Sequence, residues 1–154
     1  DWQPYFSNLR NGAILVDIDS RAVHFWSEDQ SVYKLYLSSV PLTEELTRLG
    51  RTSVVRKVVG PEWRPTPSMK ERNPEWPDYV GPGPDNPLGQ YALRLALPSY
   101  LIHGTNKPSS IGTKASSGCI RMWQQDVIDL FSRVPLRTKV IVLTKEQAEQ
   151  QQVV

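Results

Sequence analysis

Short apolar runs separated by turn residues fill most of the chain, which is the pattern of a β-rich domain. The runs are rich in branched and aromatic residues, and segment 32–37 alternates apolar and polar positions as a strand with one solvated face does. The predicted strands are 13–18, 22–26, 32–37, 53–59, 88–97, 100–103 and 139–143.

Two segments are predicted to be helical. Apolar residues recur at helical spacing within 124–134, which Pro135 ends, and Thr43 can cap a short helix over 44–49. Because strands outnumber helices, we expect a mainly β fold: a single-domain β-sandwich or half-open barrel with one or two short helices. The whole chain, 1–154, forms this one domain, with a core over about 12–143 and a tail over 144–154.

Residues 61–87 interrupt the strand pattern because they hold eight of the thirteen prolines. Proline has no amide hydrogen for a sheet ladder, so this stretch predicts a long, stiff surface excursion. Loops of this length in a small domain tend to be functional, and Trp63, Trp76 and Tyr79 are larger than a plain connection needs. The stretch is therefore predicted to form a wall or flap over a cleft; an ordered connection without function is the alternative.

Composition excludes several classes of protein. Apolar content of 39% and charge of 22% are typical of globular domains, and a net charge of +2 without a basic block gives no sign of nucleic-acid binding. No apolar run reaches membrane-spanning length. One cysteine and two histidines do not make a zinc set, and no glycine-rich phosphate loop occurs, so neither a metal nor a cofactor is predicted.

The candidate chemistry lies in residues 101–122, which hold the only cysteine, Cys119, and one of two histidines, His103. A thiol becomes a useful nucleophile beside a base, and histidine is a base suited to neutral pH. Without further context, a lone cysteine is more often a small buried apolar residue. The other histidine, His24, lies within a predicted strand and is interpreted as structural.

Glycines flank both candidate residues. Gly118 leaves the backbone before the cysteine unhindered, which suits amides that must point at an oxyanion. Gly104 lets the chain turn directly after the histidine.

The motif His103-Gly104-Thr105, followed by Ser116-Ser117-Gly118-Cys119-Ile120-Arg121, resembles the signature of the L,D-transpeptidase catalytic domain, the YkuD family. That signature is a histidine, some fourteen to seventeen residues, and then Ser/Thr-x-Gly-Cys-x-Arg. Ser117 stands where the family often has a second histidine, which leaves His103 as the base. The Thr-Pro element in 64–69 and the segment 84–89 resemble the family more weakly.

The resemblance implies a β-rich fold and a peptidoglycan L,D-transpeptidase. Cys119 would form a thioester with the third residue of a tetrapeptide stem and release D-alanine, and an amine of another stem peptide or an envelope protein would accept the acyl group. His103 would be the base, held by the carbonyl of Gly104, with the amides of Gly118 and Cys119 as the oxyanion hole. Arg121, Ser117 and Trp76 are the candidate substrate-binding residues, although Arg121 could be structural. The family is also inhibited by carbapenems, which would acylate Cys119.

Two other functions stay open. The same site could use water as acceptor, as an L,D-carboxypeptidase or a hydrolase, or the chain could be a non-catalytic wall-binding module. A papain-like protease is disfavoured because the cysteine follows the histidine. The resemblance implies an exported protein of the periplasm or cell envelope, and a chain opening at Asp1 is expected to be a mature or trimmed form.

Overall fold

Nine strands pair into one sheet within the part of the chain that the computed structural model describes, which comprises residues 1–41, 48–116, 119–144 and 147. The strands are β1 (Ala13–Asp17), β2 (Ala22–Trp26), β3 (Tyr33–Pro41), β4 (Gly50–Val59), β5 (Tyr91–Leu95), β6 (Leu101–His103), β7 (Lys114–Ser116), β8 (Ile120–Met122) and β9 (Lys139–Leu143). The helices are α1 (Pro67–Arg72) and α2 (Gln124–Arg133), with a 3₁₀ turn at Pro108–Ser110.

The strand order is β2-β1-β9-β4-β5-β6-β8-β3-β7, and β2 also pairs with β3. This extra pairing closes eight strands into a ring, with β7 attached outside it along β3. The antiparallel hairpin β1–β2 continues antiparallel into β3, whereas β9 lies parallel to β1 and β8 lies parallel to β6. The prediction of a mainly β, barrel-like domain with few helices is confirmed.

The main core lies inside this ring, where α2 contributes Val127 and Leu130. A second apolar cluster joins the N-terminal segment to residues of β1, β2 and β9, and it includes the buried side chains of Tyr5, Phe6 and Leu9. Residues 1–11, which the sequence pattern left outside the core, are thus packed against the barrel.

Several boundaries differ from the prediction. β3 runs on to Pro41 and β4 begins at Gly50, whereas the strand predicted over 88–97 is only five residues long, as β5. β7 and β8 were not predicted, because three residues are too few to show a period. The helix predicted over 44–49 and the tail over 144–154 lie almost wholly outside the described residues.

The proline-rich segment 61–87 contains structure that the sequence did not predict. Thr66 caps α1 by accepting the amide of Met69, and Pro67 occupies the first helical position, where its missing N–H costs nothing. The buried side chain of Asn86 donates to the carbonyls of Pro61, Val80 and Gly81 and so ties both ends of the excursion together. No helix in the described ranges is both long and apolar enough to cross a lipid bilayer.

Candidate active site

Two parallel strands bring the two halves of the motif together. β6 ends at His103, β8 starts directly after Cys119, and His103 pairs in register with Arg121. Parallel neighbours present their corresponding ends at the same edge of a sheet, so a motif divided by a loop becomes one site. His103 and Cys119 are both buried, and both line the same cavity.

The imidazole of His103 is held by its own backbone. Its Nδ1 lies 2.5 Å from the carbonyl oxygen of Gly104. A carbonyl can only accept, so we assign the ring hydrogen to Nδ1, which leaves Nε2 as the proton acceptor. Burial lowers the pKa of His103 to about 4, against the opposing effect of the carbonyls of Gly104 and Leu88. The ring is therefore neutral near pH 7, as a general base must be.

Close packing fixes the carbonyl that holds His103. A β-carbon on Gly104 would collide with the side-chain oxygen of Gln124. Gly89 has a φ of +73°, and a β-carbon there would lie 2.9 Å from the backbone nitrogen of Thr105. These two glycines let three backbone segments meet behind the histidine, which restricts the Gly104 carbonyl to one position.

The thiol of Cys119 donates a hydrogen bond to the carbonyl of Ser99 over 3.5 Å. Burial raises the pKa of the thiol, whereas the backbone at Leu101 and the positive charges of Arg48, Arg121 and Arg94 oppose that rise. The thiol is therefore protonated at rest near pH 7, and its activation needs a base.

Cys119 forms part of the walls of two cavities. The first, of about 400 Å³, also contains His103, Arg121, Ser116 and the side chains of Trp63 and Trp76 from the proline-rich segment. The second, of about 570 Å³, lies on the side of Ser99 and Leu101. Its charged lining consists of Arg56, Glu62, Arg64 and Arg94. A reactive sulfur at the junction of two cavities can be approached from two directions.

Arg121 presents an incompletely bonded guanidinium to the first cavity. Its Nη1 donates to the hydroxyl of Ser110 at 3.1 Å, while its buried Nε has no hydrogen-bond partner in the described part of the chain. A buried donor without a partner costs free energy, so an acceptor arriving from a ligand would be stabilised there. A carboxylate suits this position because it can accept from two nitrogens of a guanidinium at once.

The other predicted site residues fall into three groups. Trp76 lines the first cavity and packs edge-on against Trp63 at 5.4 Å between ring centroids. Ser117 and Gly118 lie outside the described residues. His24 faces a separate cavity, where its Nδ1 lies 2.7 Å from the hydroxyl of Tyr33. Tyr79, which the sequence grouped with the two tryptophans, is 43% exposed and packs on Arg64 instead.

Sequence reasoning missed several residues around the thiol. Arg48, Arg94 and Ser99 surround Cys119 from outside the motif, and no local pattern marks them because each comes from a different strand or turn. No group of three or more metal-binding side chains occurs among the residues with described positions.

Fold and site together define a class: a closed, mainly β domain with a buried cysteine and a buried histidine on the wall of one cavity. The chain belongs to the YkuD family, the L,D-transpeptidase catalytic domain, whose family model matches residues 11–142.

Known relatives agree with this assignment. The chain is 41% identical over 142 residues to "Putative L,D-transpeptidase in ATP synthase subunits region ORF 5" of Fuscovulum blasticum, covering 92% of this chain and 75% of the relative. It is 34% identical over 140 residues to "Probable L,D-transpeptidase ErfK/SrfK" of Escherichia coli K12, covering 88% of this chain and 44% of that protein. The chain thus spans less than half the length of the second relative.

Solved structures share the fold. L,D-transpeptidase 3 from Mycobacterium tuberculosis, in complex with a faropenem-derived adduct, superposes with a TM-score of 0.65 at 17% identity. The match covers 86% of this chain and 60% of the mycobacterial chain. At this identity the likeness concerns the fold alone.

Proposed function

We propose that this domain is a peptidoglycan L,D-transpeptidase that uses Cys119 as its nucleophile and His103 as its base. The observation that carries the proposal is the neutral, backbone-held His103 on the wall of the same cavity as Cys119. A base must be neutral and correctly oriented before it can take a proton, and both conditions are met without a buried carboxylate.

The first half-reaction forms a thioester. The S–H bond of Cys119 breaks, its proton goes to Nε2 of His103, and the sulfur attacks the carbonyl of the third stem residue. The C–N bond to the terminal D-alanine then breaks, and the proton on His103 leaves with the amine of D-alanine. Backbone amides at Cys119 and Gly118 are the proposed donors to the oxyanion, where each donor is worth roughly 3 kcal/mol in related acyl transfers.

The second half-reaction passes the acyl group to an amine. Because Cys119 faces two cavities, the acyl donor can occupy one while the acceptor enters from the other. Arg121 is proposed to bind a substrate carboxylate through its unpaired Nε, and Ser117 to contribute a hydroxyl beside it. The acceptor is proposed to be an amine on a second stem peptide or on an envelope protein, which places the enzyme in the periplasm or cell envelope.

The decisive experiment incubates the purified protein with a disaccharide tetrapeptide, with and without an amine acceptor, and identifies products by mass. A transpeptidase gives a cross-linked product together with free D-alanine. Tripeptide as the main product in the presence of amine would instead establish a carboxypeptidase. No product under either condition, with folded protein, would leave only a binding module and contradict the proposal.

A carbapenem is expected to acylate the protein once, at Cys119. A strained β-lactam carbonyl presents the attacked group of an acyl donor, and the ring-opened product stays attached to sulfur as a thioester. Intact-mass measurement should show one adduct on the wild-type protein and none on Cys119→Ser. An adduct on a serine, or no adduct on an enzyme that turns over substrate, would contradict the covalent mechanism.

Trp76→Ala is expected to raise KM about three- to tenfold and to change kcat less, because Trp76 offers an apolar wall to bound substrate rather than to the reacting atoms. The melting temperature should change little, since the ring is only half-buried. Tyr79→Ala is the matched control, an aromatic of the same segment that packs on Arg64 instead. A Trp76 variant that loses several degrees of melting and keeps its KM would show that this ring is packing alone.

A further inference from the structure

Arg48 contacts the site from outside the motif, just before β4. Its guanidinium donates to two successive backbone carbonyls, from Nη1 to Pro98 at 2.5 Å and from Nη2 to Ser99 at 3.0 Å. The Ser99 oxygen is the same atom that accepts the thiol hydrogen of Cys119. Since both bonds share one oxygen, the guanidinium and the sulfur lie within two hydrogen-bond lengths of each other.

The Ser99 carbonyl needs to be held where it is. Residues 97–100 form a tight turn in which the amide of Tyr100 donates to the carbonyl of Leu97, and Ser99 has a φ of +56°. A positive φ at the third position of a turn is usual for glycine or asparagine and strained for serine. A strained residue persists only where its surroundings fix it, and the fork of Arg48 supplies that constraint at this turn.

Arg48 is itself immobilised. Its guanidinium lies over the ring of Tyr100 at 4.3 Å from the centroid, and the hydroxyl of Tyr100 donates to the backbone carbonyl of Arg48 at 3.1 Å. Tyr100 is fully buried. The cation is therefore anchored from both its side chain and its backbone, which keeps it beside the thiol.

We propose that Arg48 is a positioning residue for the nucleophile: it fixes the Ser99 carbonyl that holds the resting thiol of Cys119, and its charge stabilises the thiolate formed when the proton leaves. The carbonyl restrains the sulfur while it is protonated. When the S–H bond breaks, the proton moves to Nε2 of His103 and the electron pair stays on sulfur, opposite the fixed cation.

Other groups also face the thiol. Arg94 on β5 and Arg121 on β8 carry positive charges, and His103 on β6 and Tyr100 in the preceding turn can titrate. Arg48 differs from the other two arginines because it bonds to the carbonyl that accepts the S–H group. An opposite charge at this range lowers the pKa of an acid by about one unit or more.

The test is the pH dependence of Cys119 alkylation by iodoacetamide, followed by intact mass, which reports the thiolate fraction of the only cysteine. Arg48→Gln removes the charge and keeps a donor for the carbonyls, and it should move the alkylation midpoint upward by about one pH unit. Arg48→Lys keeps the charge and should move it by less than about 0.3 unit. Arg51→Gln is the matched control, an arginine that bonds to the carbonyl of Tyr5 far from the site.

A midpoint in Arg48→Gln no higher than in Arg51→Gln overturns the proposal. If Arg48→Gln does not fold, Arg48→Lys decides, because one ammonium cannot bond to both carbonyls in the guanidinium geometry. Its kcat/KM should then fall several-fold, and a wild-type value would reject the positioning role. The inference rests on Cys119 as nucleophile, but alkylation needs no peptidoglycan substrate, so it can succeed or fail independently of the transpeptidase assignment.

Discussion

Replacement of Cys119 by alanine is expected to lower turnover of a tetrapeptide substrate by at least about a thousandfold, since no second thiol exists to form the acyl-enzyme. The fold should survive, because alanine fits the space of a buried cysteine and the lost contact of the sulfur is one weak hydrogen bond to Ser99. The measurement is a comparison of kcat and melting temperature between the variant and the wild type.

Chemical modification provides the control for this variant. Because Cys119 is the only cysteine, iodoacetamide on the wild-type protein should abolish activity in proportion to the fraction of protein carrying one alkyl group. A variant with near-normal turnover, or an alkylated protein that remains active, would show that the acyl group is not carried by sulfur.

The parts of the fold that could be predicted from sequence are those with a long enough period. β1, β2 and α2 were anticipated within one or two residues, since each buries a continuous apolar run or face. β7 and β8 were not, because their three residues gain their strand geometry from neighbours in the barrel rather than from their own sequence. α1 was hidden for another reason: proline at its first turn looks like a helix breaker until the cap at Thr66 is recognised.

The candidate site divides in the same way. His103, Cys119 and Arg121 lie close together in sequence and carry a spacing that can be matched. Arg48 and Ser99 reach the thiol only through the closure of the barrel, and neither residue type at its position suggests chemistry. A backbone carbonyl in a strained turn leaves no signature in sequence, so the environment that sets the reactivity of the thiol needed the structure.

The two histidines are expected to respond oppositely to the same substitution. His103→Gln should lower kcat by about 10²- to 10⁴-fold, because glutamine can still donate to the carbonyl of Gly104 but cannot take a proton. His24→Gln should keep most of the activity, since His24 lies in a separate cavity against Tyr33. Loss of turnover in the His24 variant with unchanged melting would show that the wrong histidine has been assigned.

The depressed pKa of His103 also makes stability depend on pH. Burial lowers the pKa of this imidazole from 6.5 to about 4, so as pH falls through this window the unfolded chain takes up a proton before the folded protein does. The contribution is therefore fully present above pH 6.5 and is lost toward pH 4, by roughly 3 kcal/mol in the free energy of unfolding. His103→Gln lacks this titration and should lose less stability between pH 7 and pH 4 than the wild type, as urea unfolding at both pH values would measure. Equal losses in the two proteins, or an acidic limb of kcat/KM near pH 6.5 instead of pH 4, would mean that His103 titrates as a solvated imidazole and is not the buried base.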